Sequence, residues 1–231
     1  MLGWHLADAN PGLIKYGDKL VNQESCPAQG GSGIRWLVPL CGKTVDMAYL
    51  ATQETTAHVV GVDGIRKALD DFSKEHSELK IQQSSSEGSS FEKLEGKKIT
   101  LLKGDFFGLD DGATGGKFDA IMDRASMVAI DPSLREEYVQ TISKVIKPGG
   151  KILLVTIERR TGTEEAVKKG PPFSISEAEV RRLYESQDWV ETVTLLEEVD
   201  EFEQKPEQKQ RFEGLTSMYE LYFLVETKQS T

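Results

Sequence analysis

The sequence predicts a single α/β domain over residues 1–231, and three observations carry that prediction. Short apolar runs suited to buried parallel strands alternate along the chain with segments of helical periodicity. The first run leads into a tight turn, Leu40-Cys41-Gly42-Lys43. The second run ends on Asp63, which follows Gly42 at close to the ~20-residue spacing that sets a carboxylate against the hydroxyls of a bound ribose in a βαβ unit. The expected architecture is therefore Rossmann-like, an open sheet with helices on both faces and ligands at the carboxyl ends of its strands.

Each element follows from its residues. Residues 36–38 read as a buried strand, Gly42 as its turn, and Val45, Ala48 and Tyr49 at helical spacing as one face of a helix over 44–53. Residues 58–62 form the second strand, and Ala68, Leu69 and Phe72 mark a helix over 65–76. The polar run 82–90, QQSSSEGSS, is expected to be a mobile surface loop. Residues 99–102 form the third strand, which leads into Gly104-Asp105-Phe106-Phe107. Gly115-Gly116 is a turn before a fourth strand over 118–122. Tyr138, Ile142 and Val145 share one side of a helix over 133–145, which Lys147-Pro148-Gly149-Gly150 closes before a fifth strand over 151–156. After the Gly170-Pro171-Pro172-Phe173 loop, Ser176 begins a helix through Glu185 with Glu179 at capping-box spacing. Residues 190–199 and 218–225 make a terminal strand pair.

The first turn bears on which adenosine cofactor is bound. A pyrophosphate site needs G-x-G-x-x-G so that the backbone can approach the phosphates, whereas this turn has one glycine. A phosphate-free adenosine ligand such as S-adenosylmethionine needs only a close-approach turn and an acid for its ribose. The formal charge of −10 disfavours nucleic acid or an anionic membrane as partner. Arg159, Arg160, Lys168 and Lys169 are interleaved with acids and read as a solvated loop. No window approaches the ~18 apolar residues of a membrane span, and the expectation is a cytoplasmic protein. Cys26 and Cys41 give neither a disulfide framework nor metal-ligand spacing, and no metal is expected. Cys41 reads as a small side chain packed under the cofactor rather than as a nucleophile, because no histidine stands by in sequence to activate it.

The blocks PLCGKTVDM, VVGVD, GKFDAIMDRASMVAI, GPPF and VDEFE occur in an order and spacing that resembles the thiopurine S-methyltransferase family, from Trp4 to about Glu226. The resemblance implies a class I methyltransferase fold, with a seven-stranded, mostly parallel sheet and an antiparallel C-terminal strand. It implies S-adenosyl-L-methionine as methyl donor, S-adenosyl-L-homocysteine as product, and a small-molecule thiol or related soft nucleophile as acceptor, with the chain acting as a monomer. Relatives carry a longer N-terminal segment ahead of an aromatic-His pair. Here Trp4-His5 comes almost at once, so a lid over donor and acceptor that is shortened or absent is expected.

Carried over by position, the resemblance puts Leu40, Gly42, Asp63, Gly64, Asp105, Phe106 and Arg124 beside the donor. Asp63 faces the ribose, while Asp105 and Phe106 face the adenine, one accepting from its amino group and the other stacking on it. Gly64 replaces a branched apolar residue common in relatives and loosens that pocket. Asp123 and Arg124 stand at the reacting centre after the fourth strand. A guanidinium stays charged and can stabilise a thiolate or thiopurinate, which then attacks the methyl in line and displaces S-adenosyl-L-homocysteine. Trp4, Met127 and Phe173 are candidate apolar walls for an aromatic acceptor, with ordinary core the other reading for each and for Met127 an equal one. Two alternatives stay open: a halide, small-anion or selenium methyltransferase of the same superfamily, and a non-catalytic protein that binds the adenosine cofactor.

Overall fold

The computed structural model describes residues 8–21, 32–84 and 90–230. Among these, one sheet holds β1 (Ile34–Val38), β2 (Thr56–Asp63), β3 (Gln82–Ser84), β4 (Glu92–Gly96), β5 (Ile99–Lys103), β6 (Phe118–Arg124), β7 (Ile146–Gly162), β8 (Val190–Asp200) and β9 (Leu215–Thr227). Its spatial order is β3-β4-β5-β2-β1-β6-β7-β9-β8. Strands β5, β2, β1, β6 and β7 run parallel. β9 inserts between β7 and β8, antiparallel to both, as expected of the C-terminal strand.

The expected seven strands become nine. The additional pair is a hairpin: β3 pairs antiparallel with β4, and β4 pairs antiparallel with β5 at the edge of the sheet. The run 82–90 therefore begins as a strand rather than a loop. It escapes a reading by periodicity because β4, EKLEG, buries one side chain, Leu94, and otherwise keeps the polar surface typical of an edge.

The helices divide between the two faces. α1 (Pro11–Leu20), α2 (Asp46–Thr52) and α3 (Arg66–Glu75) set Leu13, Met47, Leu69 and Phe72 against Trp36, Val59, Met122 and Leu153. On the other face lie α4 (Asp111–Thr114), α5 (Arg135–Val145) and α7 (Glu177–Glu185), while α6 (Glu164–Lys168) follows β7. Of these, α5 and α7 bring Tyr138, Ile142, Val180 and Leu183 against Leu37, Val60, Ile121 and Leu154. Trp36 and Leu37 thus enter different cores, as the two-residue period of a strand requires. α8 (Glu201–Gln204) and α9 (Gln208–Arg211) follow β8, and Phe202 joins Ala166, Leu215 and Met218 in a small third cluster.

Two helix starts show how local chemistry sets the frame. α1, which the strand and helix periodicity left unread, opens on Asn10. That side chain accepts from Gly12 N at 2.8 Å and Leu13 N at 3.2 Å, with Pro11 in the first turn. Ser176 caps α7 as expected, its Oγ accepting from Glu179 N at 3.2 Å. The Glu179 carboxylate reaches across to the buried Arg135 of α5 at 2.6 Å.

Candidate active site

The ends of β1, β2 and β5 are stitched together by backbone. Cys41 N donates to Val62 O at 2.9 Å, and Gly104 N donates to Asp63 O at 3.1 Å. Gly42 N donates to Asp63 Oδ2 and Ile65 N to Asp63 Oδ1, each at 2.7 Å. Asp63 is nearly buried, so both bonds form in a poorly solvated place. A carboxylate has about four acceptor sites, which leaves capacity for two ligand hydroxyls. The turn itself needs left-handed backbone: Leu40 has φ 40° and Gly42 φ 51°. Gly61 allows α2 to pack closely on β2, since a Cβ there would lie 2.5 Å from Met47 Sδ. Cys41 is buried, and burial with the nearby Asp63 charge pushes its thiol well up. It is a packed, protonated thiol.

Gly64 and Asp105 are exposed on this rim. Asp105 Oδ1 accepts from Phe107 N at 3.1 Å and so caps the short 3₁₀ turn Phe106–Gly108. The Phe106 ring does not face outward as expected. It is 2 % exposed and stacks on Tyr138 at 4.7 Å, because the apolar face of α5 offers it a better-buried partner than the rim does.

Across the rim, the ends of β6 and β7 are held by side chains. A cavity of about 260 Å³ lies between the β1 turn and this side, lined among others by Leu40, Gly42, Arg124, Val128 and Pro172. A second cavity of about 250 Å³ opens on another side of Arg124, toward Lys15, Glu197, Glu201, Glu220 and Tyr222. Arg124 is thus a wall of both. It also lies close enough to Glu220 to oppose the upward push that burial gives that carboxyl, as does the Tyr222 hydroxyl. Ala125 follows with φ 64°, so Leu40 and Ala125, both in left-handed backbone, line the first cavity. Each such residue costs about 1–3 kcal/mol, which is tolerated where the surroundings fix the geometry.

Asp123 leaves the reacting centre. It is 0 % exposed, and its Oδ2 accepts from Tyr138 Oη at 2.8 Å. Burial pushes its carboxyl up to about 6, an effect the Tyr138 hydroxyl partly offsets. Strand alternation explains the reversal, since adjacent residues of β6 point to opposite sides. Met127 is likewise core rather than cavity wall. Phe173 is half-buried. Its N donates to Val128 O at 2.7 Å, and its ring occupies the space beside Gly170, so it pins the loop that carries Pro171 and Pro172. Trp4 lies outside the described residues.

Arg159, read from sequence as part of a solvated loop, is buried. Its guanidinium donates to Ala166 O at 2.9 Å and to Lys169 O, while its N donates to Ser174 Oγ at 2.9 Å. It staples both sides of the loop over the cavity. Nothing in the local sequence separates it from Arg160, which pairs with Glu158 and Glu198 at the surface. Among the described residues, no cluster of three or more His, Cys, Asp or Glu is placed to hold a metal, and no helix is long and apolar enough to cross a membrane.

The strand order, with an antiparallel β9 beside β7 and ligand-sized space at the strand ends, defines a class I methyltransferase fold. Solved structures agree at the level of fold. A putative methyltransferase from Bacillus halodurans superposes with TM-score 0.62 at 13% identity, covering 96% of this chain and 100% of that one. A phosphoethanolamine N-methyltransferase 2 from Haemonchus contortus, in complex with S-adenosyl-L-methionine, gives 0.62 at 14% identity over 94% of this chain and 52% of that one. The family model for thiopurine S-methyltransferase matches residues 1–228, and the chain belongs to that family. Among its relatives, a thiopurine S-methyltransferase of Pseudomonas paraeruginosa is 37% identical over 183 residues, 79% of this chain and 76% of the relative. One of Nitrosospira multiformis is 33% identical over 227 residues, 98% and 93% of the two chains.

Proposed function

We propose that this protein transfers a methyl group from S-adenosylmethionine to the sulfur of a small thiol, a thiopurine or aromatic thiol being the expected acceptor. The observation that carries the reading is the placement of Arg124 at the end of β6, on the wall of a cavity whose opposite side is the Leu40–Gly42 turn.

The residues present fit the donor. The turn has no phosphate-binding glycine run, Asp63 keeps acceptor capacity for ribose hydroxyls, and the exposed Asp105 carboxylate stands beside it for an adenine amino group. Bound there, S-adenosylmethionine would supply a sulfonium methyl, whose carbon the acceptor sulfur attacks in line as the old C–S bond breaks and S-adenosylhomocysteine leaves. The chain's own contribution is threefold. Arg124 holds the acceptor sulfur as an anion, at a charge that persists at working pH. The apolar residues Leu40, Val128 and Pro172 keep water from the sulfur and so strengthen that pairing. The two rims fix donor and acceptor relative to one another, and positioning of this kind can lower a barrier by several kcal/mol.

The reading includes a monomer acting in the cytoplasm on a small molecule, without metal, membrane or nucleic acid; the net charge of −10 supports the last two. Transfer of labelled methyl to aromatic thiols, thiopurines, selenium compounds and iodide tests it. Label on thiols is the expected result. Label on iodide alone would move the protein to the halide class, and donor binding without transfer to any acceptor would make it a binding protein.

A further inference from the structure

The loops that rim the cavity are joined from beneath. Ser126 Oγ donates to Pro39 O at 2.7 Å, which ties the turn after β6 to the turn after β1. Tyr138 of α5, fully buried, makes the other connection. Its Oη donates to Asp123 Oδ2 at 2.8 Å, one residue before Arg124, and its ring stacks on Phe106 at 4.7 Å and 23°, one residue after Asp105. Tyr138 is the nearest donor to that carboxylate, which also feels the Ser126 hydroxyl and the Met127 backbone N–H of the same turn, so Tyr138 is the one contact that ties the carboxylate to α5.

We propose that Tyr138 is a positioning residue for methyl transfer, its hydroxyl fixing the end of β6 that presents Arg124 and its ring fixing the turn that presents Asp105. The two halves of one side chain thereby serve the two sides of the reaction. This rests on the assignment of Arg124 to the acceptor and Asp105 to the donor. A phenol suits the task because the hydroxyl and the ring face are rigidly related, so a shift on one side of the rim is resisted by the other. The surrounding core, with Val139, Ile142 and Tyr184 fully buried, leaves Tyr138 little room for another rotamer.

Two substitutions separate the two contacts. Tyr138→Phe keeps the ring and removes the hydroxyl; it should lower kcat about tenfold, the loss of one hydrogen bond to a charged group, and leave the Kd for S-adenosylhomocysteine within twofold of wild type. Tyr138→Leu removes both contacts and should also weaken S-adenosylhomocysteine binding severalfold, as read by calorimetry. Far-UV circular dichroism and Tm confirm that the folded variants are the ones compared, and Phe106→Leu tests the ring contact alone should Tyr138→Leu fail to fold. A Tyr138→Phe variant with wild-type kcat, or one whose kcat falls and donor Kd rises by the same factor, overturns the proposal. Absence of turnover by the wild-type chain would instead defeat the functional reading and the proposal with it.

Discussion

The two sides of the rim are built by different means. The proposed donor side, at the ends of β1, β2 and β5, is stitched by backbone N–H groups onto Asp63 and onto neighbouring strand ends. The proposed acceptor side, at the ends of β6 and β7, is fixed by side chains: Tyr138 of α5 under Asp123, Ser126 on Pro39, and Arg159 of β7 on the loop bearing Pro171 and Pro172. Backbone stitching gives the Gly42–Asp63 seat little dependence on distant side chains, suited to a cofactor that does not vary. A side-chain scaffold can be re-cut by single substitutions, which suits the half that chooses the acceptor.

The contrast is open to attack by substitution. Arg124→Ala should give the largest effect, a fall in kcat of about 10²–10³-fold as for loss of an anion-stabilising donor, with donor Kd nearly unchanged; steady-state kinetics and calorimetry check both. A matching loss of donor affinity would erase the distinction between the sides. Asp63→Ala should weaken S-adenosylhomocysteine binding by about 1–3 kcal/mol and lower Tm as well, because the amides of Gly42 and Ile65 lose their acceptor together with the ligand. Asp63→Asn keeps part of the acceptor capacity and should fall between.

A smaller effect concerns Asp123. Its carboxyl is lifted from 3.8 to about 6 in the folded chain. Between those values the folded state keeps a proton that the unfolded chain has released, so stability falls as pH rises through that window. Asp123→Asn removes the penalty and should raise the unfolding free energy by about 3 kcal/mol near neutral pH, a gain that fades toward pH ~4. Urea titrations at both pH values read it directly, and a gain that grows on acidification would refute the sign. Smallest of all, Arg159→Leu should raise the acceptor KM about threefold while donor Kd holds, because the loop loses a buried staple worth about one hydrogen bond.

Legibility in the sequence follows the same division. Gly42, Asp63 and the alternation of strands were readable because backbone geometry leaves marks in local sequence: a turn glycine, a spacing, a period. Asn10-Pro11 left such a mark as well, and attention to caps finds α1. The hairpin β3–β4 escaped because an edge strand buries one side chain and reads as polar loop. Phe106 and Asp123 stand at the expected strand ends but turn into the core, since the direction of a side chain at a strand end is decided by which face α5 covers, and Met127 takes the core reading of its two. Arg159 had no local signature; its partners are carbonyl groups, which sequence does not mark.

The central claim is that Arg124 stabilises the acceptor as an anion rather than merely holding the site together. The most direct test is a pH–rate series for wild type and Arg124→Ala over thiols of graded acidity. A thiol ionised well below the assay pH needs little help, whereas one near the free cysteine value of ~8.5 needs more. The defect in Arg124→Ala should therefore grow with acceptor pKa, and Arg124→Lys should restore activity in part. An equal loss across all thiols would contradict anion stabilisation and leave Arg124 as a positioning residue.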